Sequence, residues 1–326
     1  MRHVITVFVL SFAALAALAQ TSDTTKRVGY VVYGASGPRN HLEQALLDGL
    51  REQGYVEGRN LVIERVYAEG DAEQLRLGVG AFVSKKLDAI VTTCSPATNV
   101  AKQVTSASGT PVVMAVVTDP VGQGLVASLA QPGGNVTGRS SQVEDTLPKM
   151  LELFSTVVPK GERIAVLHNT NNPVHPRLWQ ELERVGSARN IALVRIDVAG
   201  PRDFPAAFDT IAREHLGALF LLPDDPMTMN SRGRLLELVK KNRLPTFFGV
   251  REFVVDGGLM SYGENYAASY RSAATHLGKV LAGAKPATLP VEQPTRFEFV
   301  INRSAAKDLG IAIPKDLLLR ADEVIE

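Results

Sequence analysis

The feature that most constrains the fold is the run Val112-Val113-Met114-Ala115-Val116-Val117. It is apolar, mostly β-branched and uncharged, with no alternation of polar residues. Both faces must therefore be covered, as in a central strand of a parallel sheet. Thr118-Asp119-Pro120 ends it, because proline has no N–H for a sheet ladder and restrains the residue before it. Ligands of open α/β sheets bind just outside the carboxyl ends of the strands, so Asp119 stands where a ligand is expected. The spacing predicts a short amphipathic helix over 121–129. The turn Gln131-Pro132-Gly133-Gly134-Asn135 and then Val136-Thr137-Gly138 follow, and they read as a way out of one domain into another.

The same punctuation recurs on both sides. Upstream, strands are expected at 28–33, 61–67 and 89–93, with helices at 41–53, 71–85 and 97–106; Leu42, Ala45, Leu46 and Leu50 show the helical spacing. Downstream, helices at 147–156, 178–189, 204–214 and 231–242 alternate with strands at 163–168, 191–198, 218–222 and 245–248. Such alternation implies parallel sheets with right-handed crossovers. The end of the chain breaks a plain tandem. A strand at 257–262, a helix at 266–282, a strand at 295–301 and two short helical pieces within 305–325, split by Pro314, require more than one passage between lobes. The expected class is α/β, with two doubly wound parallel-sheet lobes.

A chain of 326 residues suits two domains of ordinary size. Its 35 basic and 34 acidic residues balance to a net charge of +1, which gives no footprint for nucleic acid. Cys94 is the single cysteine, so neither an intrachain disulfide nor an all-cysteine metal site can form. A basic start, an apolar run over 4–18 and Ala17-Leu18-Ala19 read as a secretory leader cut after Ala19, followed by a flexible lead-in over 20–26. The run is short for a spanning helix, and no second one is long enough, so an exported protein not embedded in a membrane is expected.

No G-x-S-x-G, H-E-x-x-H, Walker or G-x-G-x-x-G pattern occurs, which leaves no signature of an enzyme or a nucleotide cofactor. His168 and His175 are the nearest approach to a metal pair, and no metal is expected. Cys94 could line a cleft, lie in a core, or serve as a nucleophile if a helix N-terminus lowered its pKa. The strand ends supply the candidate ligand contacts: Gly34, Ala35 and Ser36; Thr93, Cys94 and Ser95; Thr118 and Asp119; Asn169 and Asn171; Asp224 and Asp225. Tyr262 and Glu264 join them at the end of a late strand. Hydroxyls and helix N-termini suit a carboxylate, and Asp119, Asp225 or Glu264 would suit an ammonium. The competing role for each Asp or Ser is an N-cap. Trp179 and Phe247-Phe248 read as core, and Arg251 with Glu252 as a surface or interlobe pair.

Ordered blocks then carry a resemblance: Gly54-Tyr55-Val56-Glu57-Gly58-Arg59-Asn60, Asp119-Pro120-Val121, Gly124-Leu125-Val126-Ala127-Ser128-Leu129, Pro132-Gly133-Gly134-Asn135-Val136-Thr137-Gly138, Arg251-Glu252-Phe253, Gly257-Gly258-Leu259-Met260-Ser261-Tyr262-Gly263, Gln293-Pro294-Thr295-Arg296-Phe297-Glu298, and Arg320-Ala321-Asp322-Glu323-Val324-Ile325-Glu326. Over 27–326 the chain resembles the periplasmic substrate-binding proteins of ABC transporters, and more narrowly the branch associated with tryptophan and tyrosine uptake. The resemblance implies a type I periplasmic-binding fold with three crossing segments, near 136–140, 259–263 and 294–299. Lobe 1 would then be 27–137 plus 262–293, and lobe 2 139–260 plus 296–326. It implies a monomer in the periplasm that closes on a small molecule and delivers it to permease and ATPase subunits, with no cofactor. A sensor presenting its closed form to a membrane receptor is the alternative. An amino acid or related zwitterion is the expected ligand ahead of a sugar, since aromatic residues are only 6% of the chain. The Met-rich stretch 223–230 departs from an aromatic character and argues against a tryptophan-like ligand.

Overall fold

The computed structural model describes residues 25–34 and 40–326. The expected leader, most of the lead-in, and the candidates Ala35 and Ser36 lie outside the described residues. The first half runs β1 (Lys26–Val32), α1 (His41–Glu52), β2 (Leu61–Tyr67), α2 (Ala72–Ser84), β3 (Ala89–Thr92), α3 (Ser95–Thr105), β4 (Val112–Thr118) and β5 (Val136–Ser141). Next come α4 (Val143–Ser155), β6 (Ile164–Asn169), α5 (His175–Ala188), β7 (Leu193–Val198), α6 (Phe204–Arg213), β8 (Ala218–Leu221), α7 (Pro226–Asn230), α8 (Arg232–Lys241) and β9 (Thr246–Phe248). The chain closes with α9 (Arg251–Val255), β10 (Met260–Glu264), α10 (Tyr266–Leu281), β11 (Phe297–Asn302), α11 (Arg303–Leu309), α12 (Lys315–Arg320) and β12 (Glu323–Ile325).

Two sheets form two lobes, in the orders β2-β1-β3-β4-β5 and β12-β11-β10-β9-β8-β6-β7. The expected parallel pairing holds, with one exception: β10 and β11 are antiparallel. All seven residues of β4 are buried. Tyr270, Ala274 and Leu277 of α10 and Leu46 and Leu50 of α1 cover one face of the first sheet. Leu75, Val79 and Phe82 of α2 and Ala97 and Ala101 of α3 cover the other. That double cover is why β4 carries no charge. In the second lobe Phe154, Phe220 and Phe247 pack with ring centroids 5.5–6.3 Å apart.

Several local expectations are corrected. No helix forms over 121–129. Gly124 sits at φ +66°, and the N–H groups of Leu125 and Val126 both donate to the Pro120 carbonyl, which folds the segment into turns that bury Leu125 and Val126. Glu323–Ile325 is a strand, β12, paired with β11, where helix was expected. The five-residue helices α7 and α9 had no periodicity to announce them.

The chain passes between sheets three times. β5 pairs with β4 as far as Ser141, and α4 begins at Val143 against α5 and β10. Tyr262 and Glu264 pair with Phe299 and Phe297 in the second sheet, so the second passage comes at Asn265 and not over 259–263. The antiparallel ladder keeps those residues in lobe 2, and α10 then packs on α1 and β4 of lobe 1. On the last passage, the Ser140 N–H donates to the Glu292 carbonyl, five residues before β11 begins.

Candidate functional site: the interlobe cavity

A cavity of about 190 Å³ lies where the two lobes meet. β1 and β3 bring Tyr30, Tyr33, Gly34, Thr93 and Cys94 to it, and α10 brings Tyr266 and Tyr270. From the other lobe come Asp224 and Asp225, just past β8, and Phe253 of α9. α1, α3 and α10 each start at this wall. Asn40 caps α1 by accepting the Glu43 N–H, and Asn265 caps α10 by accepting the Ala268 N–H.

Asp224 is the group with the most unusual surroundings. It sits at φ +55° and is 7% exposed. Its Oδ2 accepts a hydrogen bond from Ser95 Oγ at 2.9 Å, across the lobe boundary. Burial, with the adjacent Asp225 adding to it, pushes its pKa up to about 7. Among the described residues no cationic side chain pairs with it. Asp225 is better satisfied. It caps α7 through the Met227 and Thr228 N–H groups, and its Oδ1 accepts from Asn169 Nδ2 at 2.8 Å.

Of the other candidates, Gly34, Thr93 and Cys94 line the cavity. A Cβ on Gly34 would overlap the Asn230 side chain of the opposite lobe, so glycine permits that approach. Burial pushes the Cys94 thiol up to about 12, which argues against a nucleophile. Ser95 lies behind the wall as a junction: it donates to Asp224, while Gln123 Nε2 donates to its Oγ at 3.3 Å. Thr118 is fully buried, with its hydroxyl 2.7 Å from that of Ser141. Asn169 and Asn171 line an adjoining hollow of about 380 Å³ that shares Tyr33, Gly34, Asp225 and Asn230 with the cavity.

Three further candidates, like Ser95 and Thr118, are not part of the cavity lining. Asp119, at φ +43°, accepts the Gly122 N–H at 2.8 Å and pairs through Oδ2 with Arg177 of α5 in the other lobe. Tyr262 packs on Phe297, with ring centroids 5.9 Å apart. Glu264 is buried, accepts from Ser269 Oγ at 2.8 Å, and is pushed by burial up to about 7.

A second interlobe contact joins His41 of α1 to Glu252 of α9, a hydrogen bond between Nε2 and Oε1 at 2.9 Å. Glu252 thus makes an interlobe pair with His41 and not with Arg251, which pairs with Glu323 in its own lobe. Trp179, Phe247 and Phe248 are core, as expected. The His168 and His175 rings lie 5.7 Å apart, and burial pushes His175 down to about 4. Among the described residues no group of three metal-ligating side chains gathers, and no helix is long and apolar enough to cross a membrane.

The aromatic wall escaped the sequence reading. Tyr30 and Tyr270 are both buried and line the cavity, with Thr93 beside them. The available signal was Tyr266 and Tyr270, one helical turn apart at the start of a helix that returns to the first lobe.

The family described as ABC transporter substrate binding protein matches over residues 33–325. A tyrosine-binding protein of Clostridioides difficile strain R20291 is 27% identical over 269 residues, 82% of this chain and 76% of that protein. A conserved domain protein from Vibrio cholerae O1 biovar El Tor has a solved structure 29% identical in sequence. It superposes at a TM-score of 0.84, over 92% of this chain and 99% of its own. The ABC domain of a Streptococcus pneumoniae protein in complex with L-Trp is 25% identical, with a TM-score of 0.82, over 91% of this chain and all of that one. That family is one of binding proteins, not an enzyme class. The match over nearly the whole described chain, on two parallel-sheet lobes that enclose a cavity, means that this chain belongs to the ABC transporter substrate-binding proteins, the solute-binding components of ABC importers.

Proposed function

We propose that the interlobe cavity captures a zwitterionic α-amino acid. The observation that carries this reading is Asp224, a carboxylate 7% exposed on the cavity wall that has no cationic partner among the described residues. A buried ionised carboxylate is costly unless paired, and a ligand ammonium would pair it. The starts of α1 and α3 at the same wall offer N–H groups and positive dipole ends to a carboxylate. The relatives named for tyrosine and bound to L-Trp support the amino-acid class. The leader over 1–19 is removed on export after Ala19, and the mature protein works in the periplasm as a monomer. The two lobes, 27–137 with the α10 segment to 293 and 139–264 with 296–326, close over the ligand about the three passages and deliver it to permease and ATPase subunits.

The deciding experiment is a thermal-shift screen on ligand-stripped protein with α-amino acids, free sugars and polyols. Ligand at about 100 times its Kd adds about 2.7 kcal/mol, so a rise of several degrees is expected with amino acids alone. A shift with a sugar and none with any α-amino acid overturns the reading.

A further inference from the structure

The walls of the cavity set a size limit. We propose that the site selects a short aliphatic amino acid, of valine-to-leucine size, and that the Tyr30–Tyr270 pair is the stop that keeps an indole out. This rests on the amino-acid reading above and narrows it.

A cavity of about 150 Å³ accommodates benzene, so about 190 Å³ holds roughly eight non-hydrogen atoms. Valine and leucine match that figure, and tryptophan needs nearly twice as many atoms. The limit is built from rigid parts. Tyr30 is 2% exposed, within β1, and Tyr270 is 5% exposed, within α10. Both line the cavity, together with Thr93. All three residues belong to lobe 1, so opening the lobes does not separate them. Close-packed interiors resist added volume, and a larger side chain would have to displace those two buried rings. From lobe 2, Phe253 stacks on Phe248 with centroids 4.5 Å apart, which fixes that ring as well. Val32 and Val116 complete an apolar lining that suits an aliphatic side chain. The ligand would thus differ from the L-Trp bound by the Streptococcus pneumoniae relative.

The test is calorimetric titration of the ligand-stripped protein with L-valine, L-leucine, L-phenylalanine and L-tryptophan. The expected result is a Kd for valine or leucine at least tenfold below that for tryptophan. In Tyr270→Ala that ratio should fall to about threefold or reverse, while Tyr270→Phe, which keeps the ring, should keep the preference. Should Tyr270→Ala not fold, the wild-type series still decides. Tryptophan binding as tightly as leucine overturns the size limit and leaves the amino-acid reading standing. Failure of all four, with another solute class binding, overturns both.

Discussion

Ser95 Oγ donates to Asp224 Oδ2 at 2.9 Å, so a serine at the start of α3 in one lobe holds a carboxylate of the other at the cavity wall. The bond spans 129 residues of sequence and exists only where the lobes meet. It orients Asp224 without neutralising it, and burial keeps the carboxyl pKa raised to about 7.

Ligand affinity should therefore rise with pH. Between the ordinary carboxyl range near pH 4 and about 7, the folded protein holds a proton on Asp224 that the unfolded chain has lost. The stability this contributes is full below the unfolded value and is lost as pH rises through about 7. An ammonium ligand needs the ionised form. Only about a tenth of the carboxyl is ionised one unit below its pKa, so binding should be about tenfold weaker at pH 6 than at pH 8. Glu264 is also pushed up to about 7 by burial, so the control is Asp224→Asn, which keeps an acceptor for Ser95. Calorimetry across pH 5.5–8.5 should show the slope in the wild type and a flat, weak profile in the variant. An equal slope in both would assign the proton elsewhere.

Asp119 should act on ligand release and not on ligand recognition. Its carboxylate pairs with Arg177 of the opposite lobe, away from the cavity lining, and Arg177 is further flanked by Glu144 at 3.9 Å. Arg177 is 61% exposed, so the pair contributes no more than about 1 kcal/mol and is weakened by salt. Asp119→Ala should speed dissociation by about two- to fivefold in stopped-flow displacement, with the order of ligand preference unchanged. Raising salt should shrink the difference between wild type and variant. A loss of binding of a hundredfold would instead put Asp119 on the ligand.

Cys94 should report closure. Its thiol is 6% exposed on the cavity wall and is pushed by burial up to about 12, so thiolate is scarce at neutral pH. Maleimide labelling at pH 7 should be slow, and slower by about tenfold or more with saturating ligand. Labelling as fast as that of a free thiol, with or without ligand, would place Cys94 outside the closing cavity.

What could be read from the sequence follows from where each determinant lies. β4 announces itself because both its faces are covered, which forces an uninterrupted apolar run. β12, α7 and α9 are three to five residues long, too short for a period to show. The false helix over 121–129 arose because Leu125, Val126 and Leu129 have helical spacing. The positive φ of Gly124 and the Pro120 carbonyl that takes two N–H groups decide otherwise. At the site, strand-end position brings Gly34, Thr93, Cys94, Asp224 and Asp225 to one cavity. It could not show that the Asp119 side chain turns to Arg177, a partner supplied by the fold. Tyr30 lies inside a strand and Tyr270 on the apolar stripe of a helix, and neither position marks a ligand contact. Only their tertiary pairing, and the cavity beside it, gives them another role.

The strand that ends at the second passage should tolerate no side chain at Gly263. A Cβ there would overlap the carbonyl oxygen of Gly249, a backbone atom that cannot rotate away, and Gly249 itself lines the cavity. Gly263 is also locked in register opposite Glu298, so the clash must displace the β9 exit toward the ligand. Gly263→Ala should cost about 2–4 kcal/mol, read as a fall in denaturation midpoint, and should weaken ligand binding at least tenfold in the fraction that folds. Gly80→Ala is the matched control. Gly80 lies in α2, where a Cβ would meet nothing within 4 Å, and alanine there should raise stability by up to about 1 kcal/mol through helix propensity and leave affinity unchanged. A Gly263→Ala protein with wild-type midpoint and affinity would mean that β9 and β10 sit farther apart at this point than the register requires.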